Sequence, residues 1–400
     1  KSYLEPVLFP LLWLSFFLPG SIQTVLLIVW TGYTLLTIHP SSIPAKRYRQ
    51  AFLLTVPYWF YLLWLPLTVA ASRPLLWSLL ERKFSLLLFP ALLCLGGPEQ
   101  AGLWRKTLYW FAIGAGLYSC FGLYVFLNGW IHAVPHWGQI AFRIQLESLV
   151  GLHPVYTGMY LCMAFVLFWS GTWQPRRAVS FSLQVLYAVL LLLLFPKTAL
   201  CTLSVLTLFF LRIWQTSFSQ ILRWTIPVIL LVILVFIIPF SAERWHEFLL
   251  YLMHPEQAPV NSVGLHHILL HSDLYLLRHN WLWGLGPVHL QESLDQILFS
   301  YSLLIHRPLG FYNTHCEYLN QWLCFGLPGL FTLTGLLTMQ ARKAIGRRDH
   351  LHLAILFILA MAFLTENILS RQQGVVFYAL LTTLFYFYAS PQISIPPSND

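Results

Sequence analysis

The sequence predicts an all-α membrane protein, and three observations carry that prediction. Hydrophobic residues make up 58% of the 400-residue chain and charged ones only 9%, which excludes an ordinary water-soluble domain. The apolar residues gather into runs that approach the roughly 20 helical residues needed to cross a bilayer. Basic residues concentrate in alternate connections between those runs, the pattern of the positive-inside rule.

In chain order, about twelve spans are expected, near residues 3–18, 21–38, 51–71, 84–96, 107–128, 152–171, 180–195, 198–211, 224–240, 316–340, 351–369 and 375–389. No cleavable signal peptide is evident at the start of the sequence. The 84–96 run is the weakest; Arg82 and Lys83 at its end can lay their stems along lipid and keep their charges at the interface. These runs divide the chain into an N-terminal bundle over 1–240 with about nine helices, a long loop over 241–315, and about three helices over 316–400. The loop is too long to be a turn, and function is expected there.

Orientation follows from the charges. Lys1, Lys46, Arg47, Arg49, Arg105, Lys106, Arg176, Arg177, Arg212, Arg223, Arg342, Lys343, Arg347 and Arg348 fall on one side, 14 of the 23 basic residues. That side is expected to be cytoplasmic, with both termini on it and 241–315 facing the periplasm or cell exterior. The net charge of +9 is then topological and gives no support to a nucleic-acid partner, which would need a concentrated basic patch on a soluble domain. The six cysteines contain no C-x-x-C pair and read as small buried hydrophobes.

The 241–315 loop is chemically the richest part of the chain. It holds nine of the 15 histidines, and half of the acidic residues, 7 of 14, lie between Glu243 and Glu317. Within 262–279 the pattern predicts an amphipathic helix lying on the membrane surface. His267, His271 and Arg278 form its polar stripe, and Leu269, Leu270, Leu276 and Leu277 turn toward lipid or protein. His267 and His271 have the spacing of a metal pair, but the glutamate of H-E-x-x-H is absent and a wetted helix accounts for the stripe, so no metal is expected. Trp281-Leu282-Trp283-Gly284-Leu285-Gly286 is an apolar stretch broken by two glycines, suited to a sharp turn or a close approach to a ligand. Thr314-His315-Cys316-Glu317 fits a capping box, which makes His315 the first helical residue. There the helix dipole favours a neutral imidazole able to accept a proton.

Taken in order, Asn261-Ser262-Val263-Gly264, the W-G-L-G-P turn, Asn313-Thr314-His315-Cys316-Glu317-Tyr318-Leu319-Asn320 and the F-G-L-P-G-L segment resemble the O-antigen ligase and O-antigen polymerase family of bacterial membrane glycosyltransferases. Arg143-Ile144, His153-Pro154-Val155-Tyr156 and the Phe195-Pro196-Lys197-Thr198-Ala199 turn extend the resemblance over about half of the chain. It implies a bacterial inner-membrane enzyme with a periplasmic active site that takes a glycan from an undecaprenyl-diphosphate carrier. The acceptor hydroxyl would belong to a glycan or to a lipid A-core, and transfer would proceed with inversion and without a metal or other cofactor. In this reading His315 orients or deprotonates the acceptor, and Lys197 and Arg143 hold the diphosphate. Lys197 stands in a short turn between apolar spans, where a charge is costly without a partner. The family generally carries an arginine where this chain has His266, which removes one permanent charge from the anion site. Glu317, Gly284, Gly286, His153 and Tyr156 are supporting candidates; for His153 and Tyr156, interfacial aromatic packing is the slightly favoured alternative.

The main alternative is a transporter or flippase for a lipid-linked glycan or polysaccharide, which would want ionisable residues at mid-membrane and internal repeats. Neither is visible. Glu366 is the one acidic residue deep in a late span, near its external end and close enough to Arg371 to pair. A purely structural membrane partner would leave the G-L-G turn and the histidine without a purpose.

Overall fold

The computed structural model describes residues 5–37, 45–67, 72–95, 103–132 except 105, 137–170, 173, 175–213, 253, 262–304 and 309–388 except 311. Among the described residues the chain is all-helical, without a strand. The helices are α1 (Glu5–Leu14), α2 (Gly20–Thr37), α3 (Ala45–Leu63), α4 (Arg73–Lys83), α5 (Ser85–Leu95), α6 (Tyr109–Ile131), α7 (Gln139–Val150) and α8 (Pro154–Trp169). They continue with α9 (Arg177–Leu194), α10 (Lys197–Ile213), α11 (Ser262–Asn280), α12 (His289–Leu304), α13 (Glu317–Gly346), α14 (His350–Thr365) and α15 (Gln372–Phe387).

Three of these, α2, α6 and α13, are long and apolar enough to cross a membrane, and α7 with α8 makes a fourth if the pair, bent by 82°, counts as one span. Apolar helices of 10–17 residues stand where the runs near 3–18, 180–195, 198–211 and 351–369 were expected. The expected span at 224–240 lies outside the described residues. Large apolar side chains cover much of the perimeter, among them Leu36 at 88% exposure, Leu208 at 68% and Phe331 at 65%. A surface of that kind is unfavourable in water and suited to lipid.

The centre of the fold is α8, in which nearly every residue is buried, as expected for a helix apolar on all sides. Phe16, Phe111, Tyr160 and Phe377 pack edge to face beside it, joining α8 to the start of the chain, α6 and α15. Two glycine positions set the distances that matter for the site. A Cβ on Gly158 would lie 2.8 Å from Cβ of Ala199, so α8 and the start of α10 pack backbone to backbone. A Cβ on Gly374 would overlap the carbonyl of Ile368, so α15 seats closely against the turn at 366–370. Tyr156 is buried on the same side and donates its hydroxyl to the Ile368 carbonyl at 3.2 Å. Tyr156 is therefore a brace in the core.

The glycine turn has a comparable role. Gly326 has φ 67° and breaks α13, and Pro328 two residues later has no amide hydrogen to give to the helix. The break frees the carbonyls of Leu323 and Cys324. The amides of Leu285 and Gly286 bond to them at 2.7 and 3.0 Å, while Leu327 N donates to Trp281 O at 3.1 Å. Gly284 and Gly286 hold φ of 75° and 87°, and a Cβ on Gly284 would stand 2.6 Å from Gly326 N. The turn thus approaches another backbone, that of α13, and satisfies polar groups that would otherwise be orphaned in an apolar setting.

Candidate functional site

At one end of α8 a cavity of about 600 Å³ opens between helices that are distant in sequence. Arg143 reaches it from α7, His153 from the start of α8, Lys197 from the first position of α10 and His266 from α11. Tyr312 and His315 line it from the segment before α13, and Glu366 from the end of α14. Its remaining wall is largely apolar, including Val155, Met159, Leu265, Leu319 and Ile358. Five of the residues singled out from sequence, Arg143, His153, Lys197, His266 and His315, therefore meet in one chamber. Gly284, Gly286, Tyr156 and Glu317 are not among its lining residues.

Lys197 is placed by the turn before it. Phe195 caps α9 in the left-handed region at φ 48°, Pro196 follows, and α10 starts at Lys197. The exposed side chain has the cavity as its surroundings. His153 is the N-cap of α8 and accepts a long 3.4 Å bond from Val155 N through Nδ1.

The conformation of His315 departs from the capping-box expectation. Helix α13 begins at Glu317 with Cys316 as its N-cap, so His315 precedes the helix. It occupies the left-handed region at φ 46°, a conformation that costs a residue with a Cβ about 1–2 kcal/mol. Tertiary contacts outcompete the local box. The Thr314 hydroxyl bonds Asn367 Oδ1 at 2.9 Å, and the His315 amide donates to Asn313 Oδ1 at 3.1 Å. The buried Glu317 carboxylate accepts from Leu369 N at 2.8 Å and from Gln321 Nε2 at 2.7 Å. Glu317 thus ties the histidine segment to the 366–370 turn. Strain held in place by several contacts is characteristic of functional positions.

The same turn delivers Glu366, whose Oε2 lies 3.3 Å from Nδ1 of His315. Nδ1 is buried and its N–H is not aligned for a strong hydrogen bond, so the contact is chiefly electrostatic. The pairing of Glu366 with Arg371 expected from sequence is not formed, because Arg371 reaches Glu147 on α7 at 3.2 Å instead. Sequence proximity suggested one partner and the packing of α7 supplied another.

His266 stacks edge on to His315, with ring centroids 5.0 Å apart. Burial, then His315, and to a smaller extent Lys197, hold its pKa below the usual imidazole value, with Glu366 opposing. At neutral pH His266 is therefore an uncharged hydrogen-bonding group, and permanent positive charge in the chamber comes from Lys197 and Arg143.

Beside the chamber, α11 forms as the periodicity predicts, with Leu269, Leu276 and Leu277 buried; Leu270 instead faces outward at 45% exposure, and Ile268 takes an inward place. Asp273 was not anticipated. It is fully buried on α11, neither carboxylate oxygen has a hydrogen-bond partner, and burial pushes its pKa up to about 8. Cys94, Cys162 and Cys324 are buried as expected, whereas Cys120 and Cys201 are exposed and Cys316 lines the cavity. His246, His254, His306, Arg244 and Arg307 lie outside the described residues. No protein family matches this sequence, and no curated protein matches it either.

Proposed function

We propose that the chain is a membrane glycosyltransferase of the O-antigen ligase or polysaccharide polymerase type, acting on a glycan carried by undecaprenyl diphosphate. The observation that carries this reading is one chamber in which Lys197, Arg143 and His266 face the His315–Glu366 pair above an apolar wall. Such a chamber suits a donor with a dianionic head and a hydrocarbon tail. Lys197 and Arg143 stabilise the negative charge that builds on the diphosphate as the bond from the anomeric carbon to its oxygen breaks, an effect strengthened where water is excluded. His266 donates a hydrogen bond to the same oxygens.

The acceptor hydroxyl attacks the anomeric carbon from the face opposite the leaving group, which inverts the configuration. Its proton passes to Nε2 of His315, since Nδ1 is turned to Glu366. The Glu366 carboxylate then stabilises the imidazolium electrostatically. In this reading the chain crosses the bacterial inner membrane about twelve times, with the chamber at the periplasmic side. The acceptor is a glycan or a lipid A-core, and surrounding lipids complete the walls.

The test is transfer by purified protein in liposomes, with extracted undecaprenyl-diphosphate glycans and candidate acceptors, comparing wild type with His315→Ala and Lys197→Ala. Transfer should fall about 10²–10⁴-fold without the general base and should also collapse without Lys197. If both variants transfer at the wild-type rate, the reading is wrong. Movement of labelled glycolipid across liposomes with no transfer to any acceptor would replace it with a transporter.

A further inference from the structure

The outer side of α11 carries a histidine pair that the proposed transfer does not use. His267 and His271 are both exposed, one helical turn apart, with ring centroids separated by 4.4 Å at 68°. Their Nε2 atoms stand 3.1 Å from each other. Two imidazole nitrogens at that distance share one position between them, either as an N–H···N hydrogen bond or, after small ring rotations, as two ligands of one ion. What fills that position is a single proton or a single cation.

The bite distance discriminates among cations. With metal–nitrogen bonds of about 2.0–2.1 Å, two ligands at a tetrahedral angle sit about 3.3–3.4 Å apart, and two at a right angle about 2.9 Å apart. The observed separation lies between these limits, so small side-chain rotations reach either geometry. Paired imidazoles select borderline first-row ions, whereas calcium and magnesium need carboxylate and carbonyl oxygens. Against the expectation from sequence that this pair holds no metal, and on the strength of the 3.1 Å separation, we infer that His267 and His271 form a two-histidine chelate for a divalent transition ion of the zinc, nickel or copper class.

Among the described residues no third histidine, cysteine, aspartate or glutamate joins the pair. Two protein ligands make this an open chelate, unlike a four-ligand structural site. Both rings bind the ion as neutral imidazoles. A metal bridging positions i and i+4 also clamps the turn that directly follows His266. This inference stands apart from the proposed glycosyl transfer and does not depend on it.

The experiment uses the full chain purified in detergent and stripped with a chelator, titrated with Zn²⁺ by calorimetry at pH 7.5. Wild type is compared with His267→Ala, His271→Ala and the double variant. His289→Ala serves as a control, because His289 is engaged with Glu292 at 3.1 Å on α12. Wild type and His289→Ala should bind one Zn²⁺ equivalent that weakens at least tenfold on either alanine substitution in α11. Amide exchange across 264–272 should slow on adding Zn²⁺ in wild type and not in the double variant. All three positions are exposed, and alanine favours a helix, so the variants keep the fold. Zn²⁺ binding that is absent in wild type, unchanged in the double variant, or lost in His289→Ala would overturn the inference.

Discussion

His315 shows how much of the proposed chemistry is set at the scale of single residues. Its left-handed backbone is held by the amide bond to Asn313 and by the neighbouring Thr314–Asn367 bond, and its ring lies against Glu366. Glu366→Gln keeps the shape and removes the charge that steadies an imidazolium. In the liposome assay its transfer rate should fall by about tenfold or more. Arg371→Gln, which removes the partner of Glu147, should leave the rate within about threefold of wild type. Equal losses in the two variants would assign Glu366 a structural role only. Asp273 makes a prediction about pH. Its folded-state pKa of about 8 lies above its ordinary value of 3.8. The folded state is therefore favoured most below the unfolded carboxylate range, and that advantage is lost as pH rises toward 8. Thermal stability in detergent should fall between pH 5 and pH 8 in wild type more than in Asp273→Asn, the variant being the more stable at the upper end. A variant whose stability tracks wild type across that range would show that the buried carboxyl is not protonated.

Helix α13 is the element on which the site depends, because the His315 segment leads directly into it. Its break at Gly326 is repaired by the backbone of Trp281–Leu285 rather than by side chains, which explains two glycines there and a third opposite them. Alanine at Gly326 would overlap the carbonyl of Leu282, and the left-handed backbone alone costs a Cβ about 1–2 kcal/mol. Gly326→Ala and Gly284→Ala should each lower the thermal midpoint in detergent by several degrees, whereas Gly335→Ala, which meets open space, should not. The glycine turn illustrates a limit of sequence reading. A pair of glycines announces a close approach, but the approaching surface is α13, contributed by residues about forty positions later, and helical periodicity carries no information about it.

For the whole molecule, the proposed orientation places α11 on one side of the membrane and the Lys343–Arg348 segment on the other. In a cysteine-free background, an impermeant maleimide added to intact spheroplasts should label Arg278→Cys and should reach Arg348→Cys only after lysis. The opposite pattern would invert the topology and move the chamber to the cytoplasm. The chamber itself is a product of long-range packing. Arg143, Lys197, His266, His315 and Glu366 come from five separate segments, brought to one cavity because α8 is buried on all sides and seats its neighbours at glycine contacts.

By itself, the sequence determined the helical class, the apolar character of the chain, the helix at α11 and the polar residues worth following. These follow from composition and from the 3.6-residue period, which are local properties. Of the roughly twelve spans the sequence leads one to expect, three helices among the described residues, or four with the bent pair, are long and apolar enough to cross a membrane. Only the tertiary structure decided the partners: Glu366 beside His315 and not beside Arg371, Glu317 as a tie to Leu369 and not a cap, Tyr156 as a brace, and the glycine turn as a repair of α13. A side chain's partner is set by which helices pack together, and that choice is made by burial and close backbone approach between segments far apart in the chain.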